Sequence, residues 1–270
     1  MTYTGCLQLE VGKKENRSVI GNSFFDGVFK ITRPTYFSDG MPLLTLLHVG
    51  GGYVDGDTYK SEVIVHEDAQ LALTTQASTK VYKSPRYGVV QTMDYHLKEN
   101  SVLFVKQDPL ILYHDANFSQ YTNVHMSSTS TFYYTDIITP GWSQNGRLFQ
   151  YKKLASKLRI FINGQLEVFD HQLIVPEKMS GDLMRLEGYT HIGTMIMIHQ
   201  QISDELIDDI RSEMSTIAID VRFGISMLNV KGFSIKVLAL STPEIELIFS
   251  ICEKMFRKRL YNQDKIEWRK

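Results

Sequence analysis

The chain has 270 residues, 43% of them hydrophobic, and a formal net charge of −1. That is enough apolar material for a substantial core and too little net charge to hold nucleic acid by its overall field. No apolar run approaches the roughly 20 residues that a membrane-spanning helix needs, and residues 1–10 lack the basic-then-apolar order of a signal peptide. The expectation is a cytoplasmic protein with neither nucleic acid nor membrane as partner. Cys6 and Cys252 stand at opposite ends of the chain without metal-ligand spacing, as reduced structural thiols do.

In chain order, residues 2–11 and 24–32 are rich in β-branched and aromatic side chains and read as strands. Pro34 and Pro42 bracket a turn-forming loop over 33–40. Apolar and alternating runs at 42–49 and 59–75 flank a glycine-rich turn. Within the second run Tyr59, Ser61, Val63 and Val65 share one face, and Lys60, Glu62 and His66 the other. The clearest alternation lies over 89–97, where Val89, Met93, Tyr95 and Leu97 oppose Thr92, Asp94 and His96. Glu99-Asn100 then predicts a hairpin turn into 101–106. Further strands are expected at 117–126, 130–138 and 154–163, and Asn163-Gly164 predicts a hairpin returning over 165–175.

No run before Ser203 has helical periodicity. Ser203 caps a predicted helix with Asp204 and Glu205 in its first turn and Leu206, Ile207, Ile210 and Met214 along one face. Phe233, Ile235, Val237 and Ala239 alternate as a strand. Ser241-Thr242-Pro243-Glu244 starts a second helix with Ile245, Ile248, Cys252, Met255 and Phe256 as its apolar stripe. Arg257-Lys258-Arg259 are expected at its solvated end, and the basic stretch 254–270 reads as a helix end. The fold class is therefore mainly β: a single domain over 1–270, with an elongated β-hairpin or β-layer body, β-helix-like, over about 1–200. Two α-helices follow in the C-terminal third, about 201–270. No sequence repeat of fixed period is present, although repeated hairpins can hide a structural one.

The stretch with the most shape is Gly50-Gly51-Gly52-Tyr53-Val54-Asp55-Gly56-Asp57. Glycines at this density imply left-handed backbone or a close approach. A phosphate-binding loop would end in Lys and Ser or Thr and lead into a helix, whereas this one ends in Asp57-Thr58 and leads into a strand. A helix-flanked Ca²⁺ loop would need further acidic residues at set spacing and a closing Glu. Motifs of catalysis are absent: there is no G-x-S-x-G, H-E-x-x-H or Cys-x-x-Cys. His114-Asp115 reads as a hydrogen-bonded turn.

Gly51-Gly52-Tyr53-Val54-Asp55-Gly56-Asp57, followed by Leu73-Thr74-Thr75-Gln76-Ala77-Ser78-Thr79-Lys80-Val81-Tyr82-Lys83-Ser84, resembles the signature of the urease accessory protein D family. Gln107-Asp108-Pro109-Leu110-Ile111-Leu112-Tyr113, Pro140-Gly141-Trp142, Asn163-Gly164 and Ile192-Gly193-Thr194 follow in the family's order, so the resemblance spans nearly the whole chain. Two departures stand out. The family loop carries a glycine where this chain has Asp55, and an Arg and a Glu where this chain has Trp142 and Arg147.

The resemblance implies a non-catalytic chaperone that binds nickel-free urease, recruits a helical accessory protein F and a GTPase G, and conducts Ni²⁺ toward the urease site. GTP belongs to the partner, and this chain would hold no tight cofactor, only transient Ni²⁺. An ion in passage suits weak oxygen and imidazole ligands, and Asp57, Asp55, Glu62 and His48 are the local set for it; the alternative is solvated turn carboxylates beside a partly buried histidine. Gly51, Gly52 and Gly56 form the signature loop. Thr74, Thr75, Gln76, Ser78, Thr79, Lys80 and Tyr82 either line a hydrated channel or partner site, or bond a sheet edge. Tyr133, Tyr134, Trp142 and Phe149 are candidate partner anchors. Two rival readings are a carbohydrate hydrolase using Asp55 and Asp57, and a protein adaptor without metal contact.

Overall fold

The computed structural model describes residues 3–178 and 186–268; of the expectations above, Thr2 and the basic pair Arg269 and Lys270 lie outside them. In chain order the strands are β1 (Gly5–Lys14), β2 (Arg17–Gly27), β3 (Phe29–Ile31), β4 (Thr35–Tyr36), β5 (Pro42–His48), β6 (Thr58–Val65), β7 (Gln70–Thr75), β8 (Lys80–Val81) and β9 (Val89–Leu97). They continue as β10 (Val102–Lys106), β11 (Ile111–Leu112), β12 (Asn117–Met126), β13 (Thr131–Ile138), β14 (Lys153–Ile162), β15 (Gln165–Ile174), β16 (His191–Ile198), β17 (Arg222–Met227) and β18 (Gly232–Ala239). The α-helices that lie wholly within the described residues are α1 (Asp204–Ser215) and α2 (Thr242–Tyr261).

Alternation of apolar and polar residues makes β6, β9 and β12 extended with one buried face, whereas β13 is buried on both faces; what joins the segments is a coil. From β6 to β14 the chain passes repeatedly through three faces, and each strand lies parallel to its counterpart one turn on. One face is a seven-stranded sheet in the order β15-β14-β12-β9-β6-β1-β2, and the second a nine-stranded sheet holding β5, β7, β10 and β13. The narrow third face is the pair β8-β11. Thr58 aligns with Val90, Phe118 with Val89 and Asn117 with Lys153. The turns of the coil differ in length, so no sequence period announces this β-solenoid.

Two apolar cores result. The larger fills the space between the two main sheets, with Leu7, Val63, Leu71, Leu103, Phe118 and Phe132 among its members. The smaller lies between the nine-stranded sheet and the helices, around Phe104, Tyr133, Ile210, Phe233, Ile248 and Phe256. Ser203 Oγ accepts the Leu206 amide, and Leu206, Ile207, Ile210 and Met214 are buried, as the sequence predicts. Ser241 and Glu244 close a capping box at the start of α2.

Several expectations need correction. The Glu99-Asn100 turn is no hairpin: it carries the chain from β9, which pairs with β6 and β12, to β10 in the other sheet. A hairpin would put both strands in one sheet, whereas here their inward faces meet across the core. The strand predicted over 24–32 breaks at Gly27, and β3 begins in the opposite sheet. The Asn163-Gly164 hairpin is present, with both residues at positive φ, joining antiparallel β14 and β15.

Of the candidate anchors, Tyr133 and Tyr134 are core residues, Phe149 is half-buried and Trp142 is exposed. Arg257 is not solvated: it is buried, donates to the Asp264 carbonyl at 2.8 Å and to Gln263 Oε1 at 2.6 Å, and lies over the Phe104 ring. Among the described residues no helix is long and apolar enough to cross a membrane.

Candidate functional site

The motif segments around Tyr53, Val81, Tyr113 and Trp142 meet at one corner of the solenoid, whereas Asn163-Gly164 is the β14–β15 turn and Gly193 lies within β16. Tyr53 bridges to Val81 one turn on, Lys80 and Val81 pair with Ile111 and Leu112, and Tyr113 bridges to Trp142. The backbone ladder continues through Tyr82 N to the Tyr53 carbonyl, Tyr113 N to Val81 and Trp142 N to Leu112, at 2.8, 2.9 and 2.9 Å. The glycine loop is thus the first rung of the third face. Gly52 has φ 139°, and a Cβ there would stand 2.7 Å from the Lys80 carbonyl oxygen. Gly52 serves this close approach of two backbones.

Asp57 closes the loop. Its carboxylate accepts from Val54 N at 2.7 Å, Tyr59 Oη at 2.6 Å and Thr4 Oγ1 at 3.1 Å. Tyr59 in turn stacks on Tyr53 with centroids 3.8 Å apart, and His48 packs against Tyr53 at 5.0 Å. Asp55 caps the next loop, accepting from the amides of Arg86, Tyr87 and Gly88 at 3.1, 2.9 and 2.9 Å. Desolvation opposes its ionisation, but those three amides and the Arg86 charge outweigh it and hold the carboxyl below the usual range.

Glu62 lies on the outer face of the seven-stranded sheet, 3.8 Å from His96 Nε2, because it has the opposite parity to inward-facing Ser61. Asp55, Asp57, Glu62 and His48 therefore do not converge, and among the described residues no group of three or more His, Cys, Asp or Glu is placed to hold a metal ion.

His48 faces elsewhere, into a cavity of about 150 Å³ between the sheets. Thr74, Thr75, Gln76, Ser78, Thr79 and Lys80 line it, with Gly51 and Gly52 at the same wall. Tyr82 does not; its ring lies outside, and its hydroxyl donates to the Gly51 carbonyl at 2.7 Å. Inside, His48 Nε2 and Ser61 Oγ are buried without a hydrogen-bond partner. Burial lowers the His48 pKa, so its imidazole is neutral and its lone pair is available at neutral pH. Thr75 Oγ1 donates to Asp108 Oδ2 at 2.9 Å and is thereby fixed at the wall.

The polar lining does not stop at the cavity. Gln91 is a lining residue, its register partner on β12 is Gln120, and the partner of Gln120 on β14 is Ser156. Gln120 Nε2 donates to Ser156 Oγ at 2.8 Å and to Asp136 Oδ2 at 2.7 Å. Burial raises the Asp136 pKa to about 6, against the hydrogen bond from Gln120. On a neighbouring stretch between the sheets, Lys236 Nζ binds Asp170 at 2.6 Å and Thr194 Oγ1 at 3.0 Å, and Gln172 also donates to Thr194 at 2.7 Å.

Gln91, Gln120, Asp136 and Ser156 were not singled out in the sequence, although a signal existed. Gln91 has the parity of Val89, Met93, Tyr95 and Leu97, so alternation alone puts it inside. A polar residue at an inward position is the mark of an interior polar row.

Comparison with known proteins gives the family. The family model described as UreD urease accessory protein matches residues 3–269. Proteins named urease accessory protein UreD are similar along the whole length. That of Bacillus sp. (strain TB-90) is 42% identical over 270 residues, covering 100% of both chains. That of Lachnoclostridium phytofermentans is 38% identical over 266 residues, 98% of this chain and 97% of its own. That of Staphylococcus aureus (strain bovine RF122 / ET3-1) is 34% identical over 265 residues, 97% and 95%. With a glycine loop that closes the first rung of a β-solenoid and this similarity from end to end, the chain belongs to the UreD family of urease accessory proteins, and its role lies in urease maturation.

Proposed function

We propose that this chain is a non-catalytic chaperone that binds nickel-free urease together with the accessory proteins F and G, and conducts Ni²⁺ toward the urease active site. The observation that carries the reading is the polar interior: a cavity walled by His48 and the hydroxyls of Thr74, Thr75 and Thr79, continued by the row Gln91, Gln120 and Ser156 with Asp136 beside it. Burying such groups between apolar sheets costs stability unless each is hydrogen-bonded, and His48 Nε2 and Ser61 Oγ are not. Neutral imidazole, hydroxyl and amide oxygens offer a divalent cation successive weak sites, and none of them forms a deep well. The ion is cargo, and GTP hydrolysis belongs to protein G.

Urease activation by Ni²⁺, GTP and bicarbonate, measured with F and G and with or without this chain, tests the reading. Activation that requires the chain supports it; activation of equal extent without it rejects it. The adaptor alternative has its own support, since Asp55 and Asp57 are engaged in loop hydrogen bonds. Interior substitutions such as Gln120→Leu separate the two: the adaptor keeps full activation, and the conducting chaperone loses it while still binding its partners.

A further inference from the structure

The corner where those motif segments meet also leaves aromatic rings in solvent. Tyr82 packs on Tyr113 with centroids 4.7 Å apart, and Tyr113 on Trp142 at 4.9 Å, one ring for each turn of the coil. Trp142 is 52% exposed, and Tyr87, on the loop that Asp55 caps, is 79% exposed. Neither sits on a loose loop. The Trp142 amide is bonded to the Leu112 carbonyl, and the Tyr87 amide to Asp55, each at 2.9 Å. Large side chains held on fixed backbone lose little entropy when covered, which is what interface anchors require.

Positive charge predominates around these rings. Lys80, Lys83, Arg86, Arg147 and Lys152 are exposed on the same rungs and the loops that join them. The carboxylates of the corner are fewer: Asp55 is held by three amides and keeps its charge, and Asp115 offsets Lys83 at 3.0 Å and lies 3.3 Å from His114, which leaves Lys80, Arg86, Arg147 and Lys152 in excess. On a chain of formal net charge −1, this is a local cationic rim around an aromatic centre.

From these features we infer that the corner is the docking surface for the acidic, carboxylate-bearing face of a protein partner. Trp142 and Tyr87 are its anchors, and the lysines and arginines are its rim. The inference rests on the maturation reading above and adds the place of contact. A partner seated here borders the cavity, because Tyr82 is hydrogen-bonded to Gly51, and Gly51 and Lys80 belong to the cavity wall. Steering by the rim makes encounter fast and salt-dependent.

The test uses the full chain as wild type, as Trp142→Ser, as the pair Arg86→Glu with Arg147→Glu, and as a control pair, Phe169→Ser with Leu173→Ser, on the exposed face of β15. Each is titrated at low and high salt against nickel-free urease, protein F and protein G separately. Hydrogen exchange is followed on the wild-type complex, which needs no variant to fold. The expected result is that one partner binds the wild type and the control alike, and binds both corner variants roughly tenfold or more weakly. Its affinity falls with salt, and amides over 80–88, 112–115 and 141–149 become protected.

Unchanged affinity in both corner variants, or protection confined to other segments, overturns the assignment. So does self-association of the wild type that the corner variants abolish, which would give the surface to a second copy of this chain. If activation requires the chain but the corner variants bind and activate as wild type does, the docking surface is wrong and the maturation reading stands. If the wild type binds none of the three and activation is independent of it, both fall.

Discussion

The Tyr59 hydroxyl donates a 2.6 Å hydrogen bond to Asp57, and the Tyr59 ring stacks on Tyr53 at 3.8 Å. Through these two contacts the last residue of the glycine loop is tied to the wall of the interior cavity, where Tyr53 also packs against His48. Asp57 is therefore a positioning residue for the loop and the cavity mouth.

Replacing Asp57 by Ala leaves the Val54 amide, the Tyr59 hydroxyl and the Thr4 hydroxyl without their acceptor. The expected loss is about 2–3 kcal/mol in chemical denaturation, and Asp57→Asn, which keeps one acceptor oxygen, loses less. An alanine variant as stable as wild type would show that the carboxylate is not what holds the loop.

Asp136 gives the opposite sign. Its folded-state pKa is raised by burial to about 6 from an ordinary 3.8. The folded state therefore holds a proton that the unfolded state releases, and stability falls as pH rises from about 4 through 6. Asp136→Asn removes that loss while keeping an acceptor for Gln120, so the variant is expected to be more stable than wild type above pH 6, by up to about 3 kcal/mol. The gap closes below about pH 4. If Asp136 is also on the ion's route, the same variant activates urease poorly despite its added stability, a combination that misfolding cannot produce.

His48, His125, His191 and His199 all have pKa values lowered by burial. Each contributes stability that is present above its unfolded value of 6.5 and is lost as pH falls through that value toward the lower folded one. Thermal unfolding of the wild type should therefore show a declining midpoint between neutral pH and mild acid. His48→Phe, with an apolar ring at the cavity wall, should shrink that decline. An unchanged acid slope in the variant would mean that His48 is protonated as easily in the fold as outside it.

Gly52→Ala is expected to cost about 2 kcal/mol or more, because it adds left-handed backbone strain to a Cβ 2.7 Å from the Lys80 carbonyl oxygen. Gly12→Ala is the control, since a Cβ at Gly12 meets nothing within 4 Å. Equal stability of the two variants in urea unfolding would remove the close-approach account of the glycine loop.

What the sequence by itself determined is local. Alternation set which segments are strands and which faces they bury: Val89, Met93, Tyr95 and Leu97 are inside, as their parity requires. Ser203 and Ser241 with Glu244 set the helix starts, and Asn163-Gly164 its hairpin. Tertiary structure alone decided the partner of each strand. The turn at Glu99-Asn100 looks the same to its neighbours whether it closes a hairpin or passes the chain to a second sheet, and parallel pairing with the previous coil joins residues too distant for any local signal. It also decided the fate of the polar groups. Asp55 and Asp57 are alike in sequence to a cation site, but backbone amides and hydroxyls brought in from Thr4, Tyr59 and residues 86–88 occupy their oxygens. Gln91, Gln120 and Ser156, far apart along the chain, become one interior row because successive turns of the coil bring the same parity to the same wall.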